Sequence, residues 1–158
     1  MGMYCEVYRV PAATVERLVD EPSGLIEIMS DLEGADDAVS LEKSWHGLHY
    51  VLTGTADEGA EPLNFLLAGG SPLGDEEAQR LITADQVQAI AAALKPIGEQ
   101  EFAARFDPAA LDEAGVYPQI WDEPLDDLLE EYSGYFQQLK SLVVRAADSN
   151  SGLLVVIG

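Results

Sequence analysis

Two compact runs of apolar residues lie near opposite ends of the chain, and each run predicts a β-strand. YCEVYRV is rich in β-branched and aromatic residues, and GLLVVIG is a continuous apolar stretch typical of a buried strand. The residues between these runs show mostly helical periodicity. We therefore expect a single α+β domain, mostly helical, with a small sheet that includes the N- and C-terminal strands.

Helical spacing of apolar positions predicts a series of helices between the two strands. Short helices are expected at AATVERLVD, SGLIEIMSDLEG, LNFLLAGG, EQEFAARFD and PAALDEAG, and QRLIT is interpreted as a further strand. Thr83 and Gln86 form a capping-box signature at the start of ADQVQAIAAALKPI. From Pro124 onward the spacing predicts the longest helix, in which Gly134 costs roughly 1 kcal/mol relative to alanine.

The stretch LEKSWHGLHYVLTG, residues 41–54, contains both histidines of the chain and predicts a helix with two parallel stripes. The expected core stripe consists of Leu41, Trp45, Leu48 and Leu52, and Gly54 follows at the position of a left-handed cap. The second stripe has i, i+3, i+7 spacing and consists of His46, His49 and Thr53, with Tyr50 beside it.

Two interpretations of the second stripe stay open. In one, His46 and His49 together bind a substrate, a proton or a metal, because imidazole titrates near neutral pH and is a common metal ligand. In the other, they are boundary residues of an amphipathic helix. The irregular loop VYPQIWDEP adds large aromatic residues, which either plug the core or line a binding surface. If this loop meets the stripe, the candidate ligand or partner site consists of Trp45, His46, His49, Tyr50, Thr53, Tyr117 and Trp121.

No complete catalytic, metal or nucleotide motif occurs in the sequence. The H-x-x-H pair supplies two nitrogens, and a zinc site needs at least one more ligand from elsewhere in the chain; there is also no G-x-S-x-G elbow. Cys5 lies in a predicted strand, where a buried and inert thiol is the commoner state. AGGSPLGDEE lacks the lysine of a phosphate-binding loop and is interpreted as a turn. The catalytic residues therefore stay unknown, and we expect no metal and no cofactor.

The charge of the chain is strongly negative, with 29 acidic residues against 8 basic ones and a net charge of -21. Such a field repels phosphate backbones and anionic lipid, so nucleic acid and membranes are poor partners, whereas a basic protein is attracted. Acidic residues concentrate between Gly98 and Glu131, where Arg105 is the single basic residue. An acidic host proteome would produce the same excess without any functional role.

Length and cysteine content place the chain among ordinary globular proteins. Its 158 residues fit one domain, 1–158, and a hydrophobic fraction of 47% is too high for an intrinsically disordered chain. The single cysteine excludes an internal disulfide, and MGMYCEVYRV lacks the basic and apolar regions of a secretory signal. We expect a soluble cytoplasmic protein, and the sequence leaves its oligomeric state open.

Several of these segments also resemble a known family. The start MGM, the central L-x-K-x-WHGLHYVLTG, the following PL and LLAGG, the helix QVQAIAAAL, the segment YPQIW and the terminal LLVVI are together similar to the YfbM-like proteins, a bacterial family of unknown function. Trp45, His49, Thr53 and Gly54 match its most recognisable part. The resemblance implies a small cytoplasmic α+β domain and implies no activity, since the family has no catalytic residues to carry over.

Two classes of function remain for such a chain. The first is an acidic protein-interaction module, a regulator or an immunity-type binder, whose supporting feature is the net charge. The second is a small enzyme or ligand-binding protein with a pocket around His46, His49 and the Tyr117–Trp121 loop. The second class requires those side chains to converge on a pocket.

Overall fold

The computed structural model describes residues 3–21, 37–73 and 76–158, and the helix predicted at SGLIEIMSDLEG lies outside the described residues. The elements in chain order are β1 Cys5–Val10, α1 Ala12–Asp20, β2 Ala38–Glu42, α2 Trp45–Thr53, β3 Ser71–Leu73, β4 Glu76–Ile82, α3 Ala84–Leu94, α4 Glu99–Arg105, α5 Pro108–Glu113, α6 Leu125–Asp148 and β5 Gly152–Ile157. No helix within these ranges is both long and apolar enough to cross a membrane.

The strands form one antiparallel sheet in the order β2-β1-β5-β4-β3. The two strands predicted from the terminal apolar runs lie side by side at its centre, in register from Cys5 opposite Ile157 to Val10 opposite Gly152. The predicted α+β class, with the N- and C-terminal strands in one sheet, is therefore confirmed.

Helices cover both faces of this sheet. Val7 and Val155 point into the large core formed with α2 to α6, whereas Tyr8 and Leu154 point into a smaller core formed with α1. Because both faces are buried, β5 needs apolar side chains at successive positions. This requirement explains why GLLVVIG is a continuous apolar run and does not alternate with polar residues.

The long helix α6 packs against α3 and crosses the sheet. Among the apolar positions whose helical spacing predicted this helix, Leu125 is exposed and Leu129 is half-buried. The others are buried: Leu128, Tyr132, Phe136, Leu139, Leu142 and Val143. The ammonium of Lys140 donates to the carbonyl oxygens of Lys95 (3.2 Å) and Ile97 (2.9 Å), which lie just beyond the end of α3. Thr83 and Gln86 form the predicted capping box at the other end of α3.

One correction concerns the start of the histidine helix. Leu41 is buried in β2, next to β1, and α2 begins only at Trp45. Between them the backbone N–H and the hydroxyl of Ser44 both donate to the Leu41 carbonyl oxygen, which makes a tight turn. The prediction that Leu41 belongs to the helix was wrong because Leu41 fits two patterns at once. It has helical spacing to Trp45, and it also alternates with Val39 in the period of two that is typical of a strand.

A second correction concerns LNFLLAGG, which forms turns and not a helix. The cause is Arg80, a buried arginine of β4 whose guanidinium donates to the carbonyl oxygens of Phe65 (3.0 Å), Gly69 (2.7 Å) and Leu66. These carbonyls bind a side chain in place of the backbone N–H groups of a helix. Burial lowers the pKa of Arg80, and the carbonyl dipoles compensate the buried charge.

The sequence predicts a turn at AGGSPLGDEE, but Ser71–Leu73 within this stretch forms β3 and pairs with β4, whereas Gly74 and Asp75 lie outside the described residues. Gly70 precedes β3 with a φ of +72°, and a Cβ there would lie 2.3 Å from the Leu81 carbonyl oxygen. Only glycine fits this position without a backbone shift.

Gly134 provides a test of the predicted weak point in α6. It is exposed and lies inside the helix, and a Cβ at this position would meet no other atom within 4 Å. Gly134→Ala should therefore raise the free energy of unfolding by about 1 kcal/mol, because alanine loses less backbone entropy on folding. Urea unfolding of both proteins measures this difference.

The matched control is Gly70→Ala, which makes the same chemical change at a position with no room and should lower the free energy of unfolding. Destabilisation by Gly134→Ala would show that α6 needs glycine at that position for a reason other than space.

Candidate functional site

Both histidines of α2 hold the loop that follows the helix. Nε2 of His46 lies 2.9 Å from the Ala56 carbonyl oxygen, and Nε2 of His49 contacts the Asp57 carbonyl oxygen. The helix ends at Gly54 with a φ of +80°, as the sequence predicts, and the chain then turns back toward the imidazoles. His46 and His49 therefore do lie on one side of α2, where both imidazoles bind backbone carbonyl oxygens of the protein itself.

His46 joins this loop to the predicted aromatic loop. Its Nδ1 accepts a hydrogen bond of 3.0 Å from the backbone N–H of Tyr117. An acceptor at Nδ1 makes Nε2 the donor to Ala56, so both ring nitrogens of the neutral imidazole are engaged. The ring also stacks on Trp45, with 5.3 Å between the ring centroids.

His49 is fully buried and keeps one ring nitrogen free. Its Nε2 donates to Asp57, while Nδ1 has no hydrogen-bond partner in the described part of the chain. Burial is the main cause that lowers the pKa of His49, and the nearby His46 and Arg80 add to it, whereas the bond to Asp57 opposes it. The neutral imidazole is therefore the favoured form.

The other candidate residues of α2 have structural contacts. The Thr53 hydroxyl donates to the His49 carbonyl oxygen at 2.8 Å and accepts from the Thr55 backbone N–H at 3.3 Å, which closes the end of the helix. Tyr50 is half-buried and packs against the large core. The indole N–H of Trp45 donates to the Met3 carbonyl oxygen at 3.0 Å.

The aromatic loop divides between the two roles considered for it. Trp121 is buried, donates to the Val116 carbonyl oxygen at 2.8 Å, and packs against Tyr132 at 5.3 Å between centroids. Tyr117 is half-buried and stacks on Trp45 at 5.7 Å. Trp121 is therefore a core residue. Tyr117 lies at the edge of an aromatic cluster that it forms with Trp45 and His46.

Gly47 makes this packing possible. A Cβ at that position would lie 2.6 Å from Cε2 of Tyr132 and 3.0 Å from the Trp121 ring. Glycine inside WHGLHY thus lets two large rings approach the backbone of α2. Gly47 is not among the residues singled out from the sequence, although a glycine within a helical pattern is the signal that could have indicated such an approach.

The structure thus brings Trp45, His46 and Tyr117 into direct contact, while the side chains of His49 and Thr53, also on α2, bind the loop that follows the helix. Trp121 reaches α2 at Gly47, on the buried side. Within residues 3–21, 37–73 and 76–158 there is no group of three or more His, Cys, Asp or Glu side chains suited to a metal ion. Burial raises the pKa of Cys5 to about 12, which keeps this thiol protonated.

A neighbouring groove was not indicated by the sequence. It has a volume of about 500 Å³, and its walls include Tyr4, Glu42, Pro118, Glu131 and Tyr135. The Tyr135 hydroxyl donates to the Glu42 carboxylate at 2.5 Å across the groove. These residues come from four separate stretches of the chain, so no local spacing could have grouped them.

Comparisons with known proteins relate the chain to a family and to a solved structure, neither of which has a known function. A family model described as a domain of unknown function (DUF1877) matches residues 1–156. The crystal structure of YfbM from Escherichia coli, a protein of unknown function, is similar over 98% of this chain and 99% of that chain, with a TM-score of 0.76 and 21% sequence identity. No curated protein matches the chain.

The buried His49 predicts a pH-dependent stability. Its neutral form is favoured in the fold, so below the ordinary pKa of 6.5 the unfolded chain binds a proton that the folded chain does not. The free energy of unfolding should therefore fall as the pH drops from about 7.5 to about 5.5, and His49→Gln should flatten this slope. Urea unfolding at several pH values measures both slopes.

Thr53→Val is the matched control, because it removes a hydrogen bond of the same helix without removing a titratable group. It should lower the stability and leave the slope unchanged. Equal slopes for the wild-type protein and His49→Gln would contradict the role assigned to His49.

The close approach at Gly47 predicts that added volume is costly. Gly47→Ala should lower the free energy of unfolding by about 1–3 kcal/mol, the range for overpacking a rigid core. The cost should shrink in a Tyr132→Leu background, where the nearest ring is absent, and a double-mutant cycle by urea unfolding measures that coupling. Additive effects would show that Tyr132 does not limit the space.

Proposed function

The chain belongs to the DUF1877 family of domains of unknown function, and from that premise we propose that it is an acidic protein-interaction module, a regulator or an immunity-type inhibitor that binds a basic protein. The family assignment confirms the resemblance to YfbM-like proteins and supplies the fold. The acidic surface of the chain supports a basic partner.

One observation carries the proposal, which is the exposure of every acidic residue between Gly98 and Glu131. This acidic face consists of Glu99, Glu101, Asp107, Asp112, Glu113, Asp122, Glu123, Asp126, Asp127, Glu130 and Glu131. Among the described residues, this segment makes one ion pair, between Arg105 and Glu101 at 2.9 Å. Its negative charge is therefore almost uncompensated within the protein.

Part of this charge stabilises the fold itself. The Asp107 carboxylate accepts from the backbone N–H groups of Ala109 and Ala110 at the start of α5, and Asp126 and Asp127 lie in the first turn of α6. Carboxylates at these positions interact favourably with helix N-termini. Glu99 and Glu101 likewise lie in the first turn of α4. The other acidic residues of the segment neither cap a helix nor lie in its first turn, which supports a function in binding; they are Asp112, Glu113, Asp122, Glu123, Glu130 and Glu131.

An uncompensated acidic face accelerates encounters with a basic partner and disfavours acidic competitors. The same field opposes nucleic acid and anionic membranes as partners. A cytoplasmic location is part of the proposal, and the free thiol of the single cysteine, Cys5, supports it.

The alternative function, a small enzyme or ligand-binding protein at the histidine stripe, receives less support from the geometry. Both ring nitrogens of His46 bind backbone groups, and Trp121 is a core residue. The free Nδ1 of His49 is the feature that favours this alternative, and it is fully enclosed by protein.

The proposal predicts salt-sensitive capture that depends on the acidic face. The wild-type protein should retain one basic protein from a lysate of the host at about 0.05 M salt and release it near 0.5 M, because screening weakens the attraction. A face variant with Asp112→Asn, Asp122→Asn, Glu123→Gln and Glu130→Gln, all exposed and outside the first turn of a helix, should lose the partner. Mass spectrometry of the retained proteins measures the capture.

The matched control removes the same number of negative charges from exposed positions on α1 and α3 and near them, with Glu16→Gln, Asp20→Asn, Glu21→Gln and Asp85→Asn. It should keep the partner. Absence of any specific partner, or capture that neither salt nor the face variant reduces, would overturn the proposed function.

A further inference from the structure

The groove beside the aromatic cluster combines carboxylates with aromatic walls. Glu42 ends β2 and Glu131 lies on α6, so two elements contribute one carboxylate each to the same space of about 500 Å³. Tyr4 and Tyr135 form aromatic parts of the wall. Tyr4 is 48% exposed, so its ring is accessible from solvent.

The two carboxylates differ in what they bind. Glu42 accepts from the Tyr135 hydroxyl, and this bond is the main cause that raises the pKa of Tyr135 to about 12. Glu131 has neither an ion pair nor a hydrogen bond to its side chain in the described part of the chain. Partial burial, followed by the charges of Glu123 and Glu42, raises the pKa of Glu131. A cation placed here would relieve that repulsion.

The groove already shows how its aromatic wall interacts with a cation. Lys43 is the one basic residue among the residues that line it, and its Nζ lies 5.6 Å from the centre of the Tyr4 ring. That distance falls within the range of a cation–π interaction. Among the described residues Lys43 makes no ion pair with Glu131, so the groove keeps one unpaired carboxylate.

We propose that this groove is the docking point for a basic side chain, arginine or lysine, of a protein partner, with Glu131 as the charge partner and Tyr4 as the aromatic wall. The inference rests on the proposed function and names the place where one basic side chain of the partner binds. Charge complementarity favours this occupant, because an acidic or neutral side chain would leave the Glu131 carboxylate, which lines the groove together with Glu42, without a compensating positive charge. A guanidinium additionally stacks on an aromatic ring while it binds a carboxylate.

A single amino-acid probe tests the groove without knowledge of the partner. Nα-acetyl-arginine amide is titrated into the isotope-labelled wild-type protein and followed by NMR, with Nα-acetyl-citrulline amide as the uncharged isostere. The cationic probe should shift the amide signals of Glu42, Glu131 and Tyr135, and the neutral probe should not. Shifts that are absent, spread over the whole acidic surface, or equal for both probes would overturn the proposal.

Variants then separate the groove from the general acidity of the surface. Glu131→Gln should weaken binding of the cationic probe about fivefold, the factor that corresponds to one exposed charge pair. Glu113→Gln removes the same charge from an exposed position on α5 and should leave the affinity unchanged. Tyr4→Leu should weaken binding while it keeps the charge of the groove. Equal effects of Glu131→Gln and Glu113→Gln would overturn the assignment of Glu131.

The outcomes also distinguish this inference from the proposed function. If a basic partner is captured but Glu131→Gln does not reduce its capture and the probe does not bind, the groove is the wrong docking point and the proposed function stands. If the probe binds the groove but no basic partner is captured, the proposed function fails, and with it the assignment of the cation to a protein.

Discussion

The antiparallel pairing of β1 with β5 is the constraint on which the rest of the structure depends. It joins residues 5–10 to residues 152–157 at the centre of the sheet and thereby defines two faces, one for α1 and one for the remaining described helices. Because α6 leads directly into β5, the position of this strand also fixes where α6 crosses the sheet. The helix in turn provides Tyr132 and Tyr135, which contact α2 and the groove.

Around α2 the protein uses polar and aromatic side chains to fix loops that lack regular backbone pairing. His46 and His49 hold residues 56 and 57, His46 also holds Tyr117, and Arg80 holds three carbonyls of residues 65–69. Buried polar groups stabilise a fold only when they are bonded, and these residues satisfy backbone groups that no helix or strand satisfies. The polar groups of these side chains therefore bind the protein's own backbone.

Charged side chains on the surface, in contrast, mostly lack a bonding partner among the described residues. Acidic side chains on α4, α5 and the start of α6 remain exposed and largely unpaired, and the groove between β2 and α6 adds carboxylates close to tyrosine rings. Mutual repulsion of this kind lowers stability and raises affinity for positive charge. Histidines whose ring nitrogens mostly bind the protein's own backbone, and an acidic surface that is largely unpaired, together favour recognition of another protein over catalysis at the histidines.

The sequence by itself determined those features whose signal lies within one element. The apolar runs predicted β1 and β5, Thr83 and Gln86 predicted the start of α3, and the spacing after Pro124 predicted α6, because each depends on side chains a few residues apart. The tertiary structure was needed to see that Leu41 joins a strand, that Arg80 binds the carbonyl groups of residues 65–69, that His49 keeps a free ring nitrogen and that Glu42 and Glu131 line one groove. Each of these depends on a partner distant in the chain, and the spacing of residues along one segment contains no information about which distant segment will pack against it.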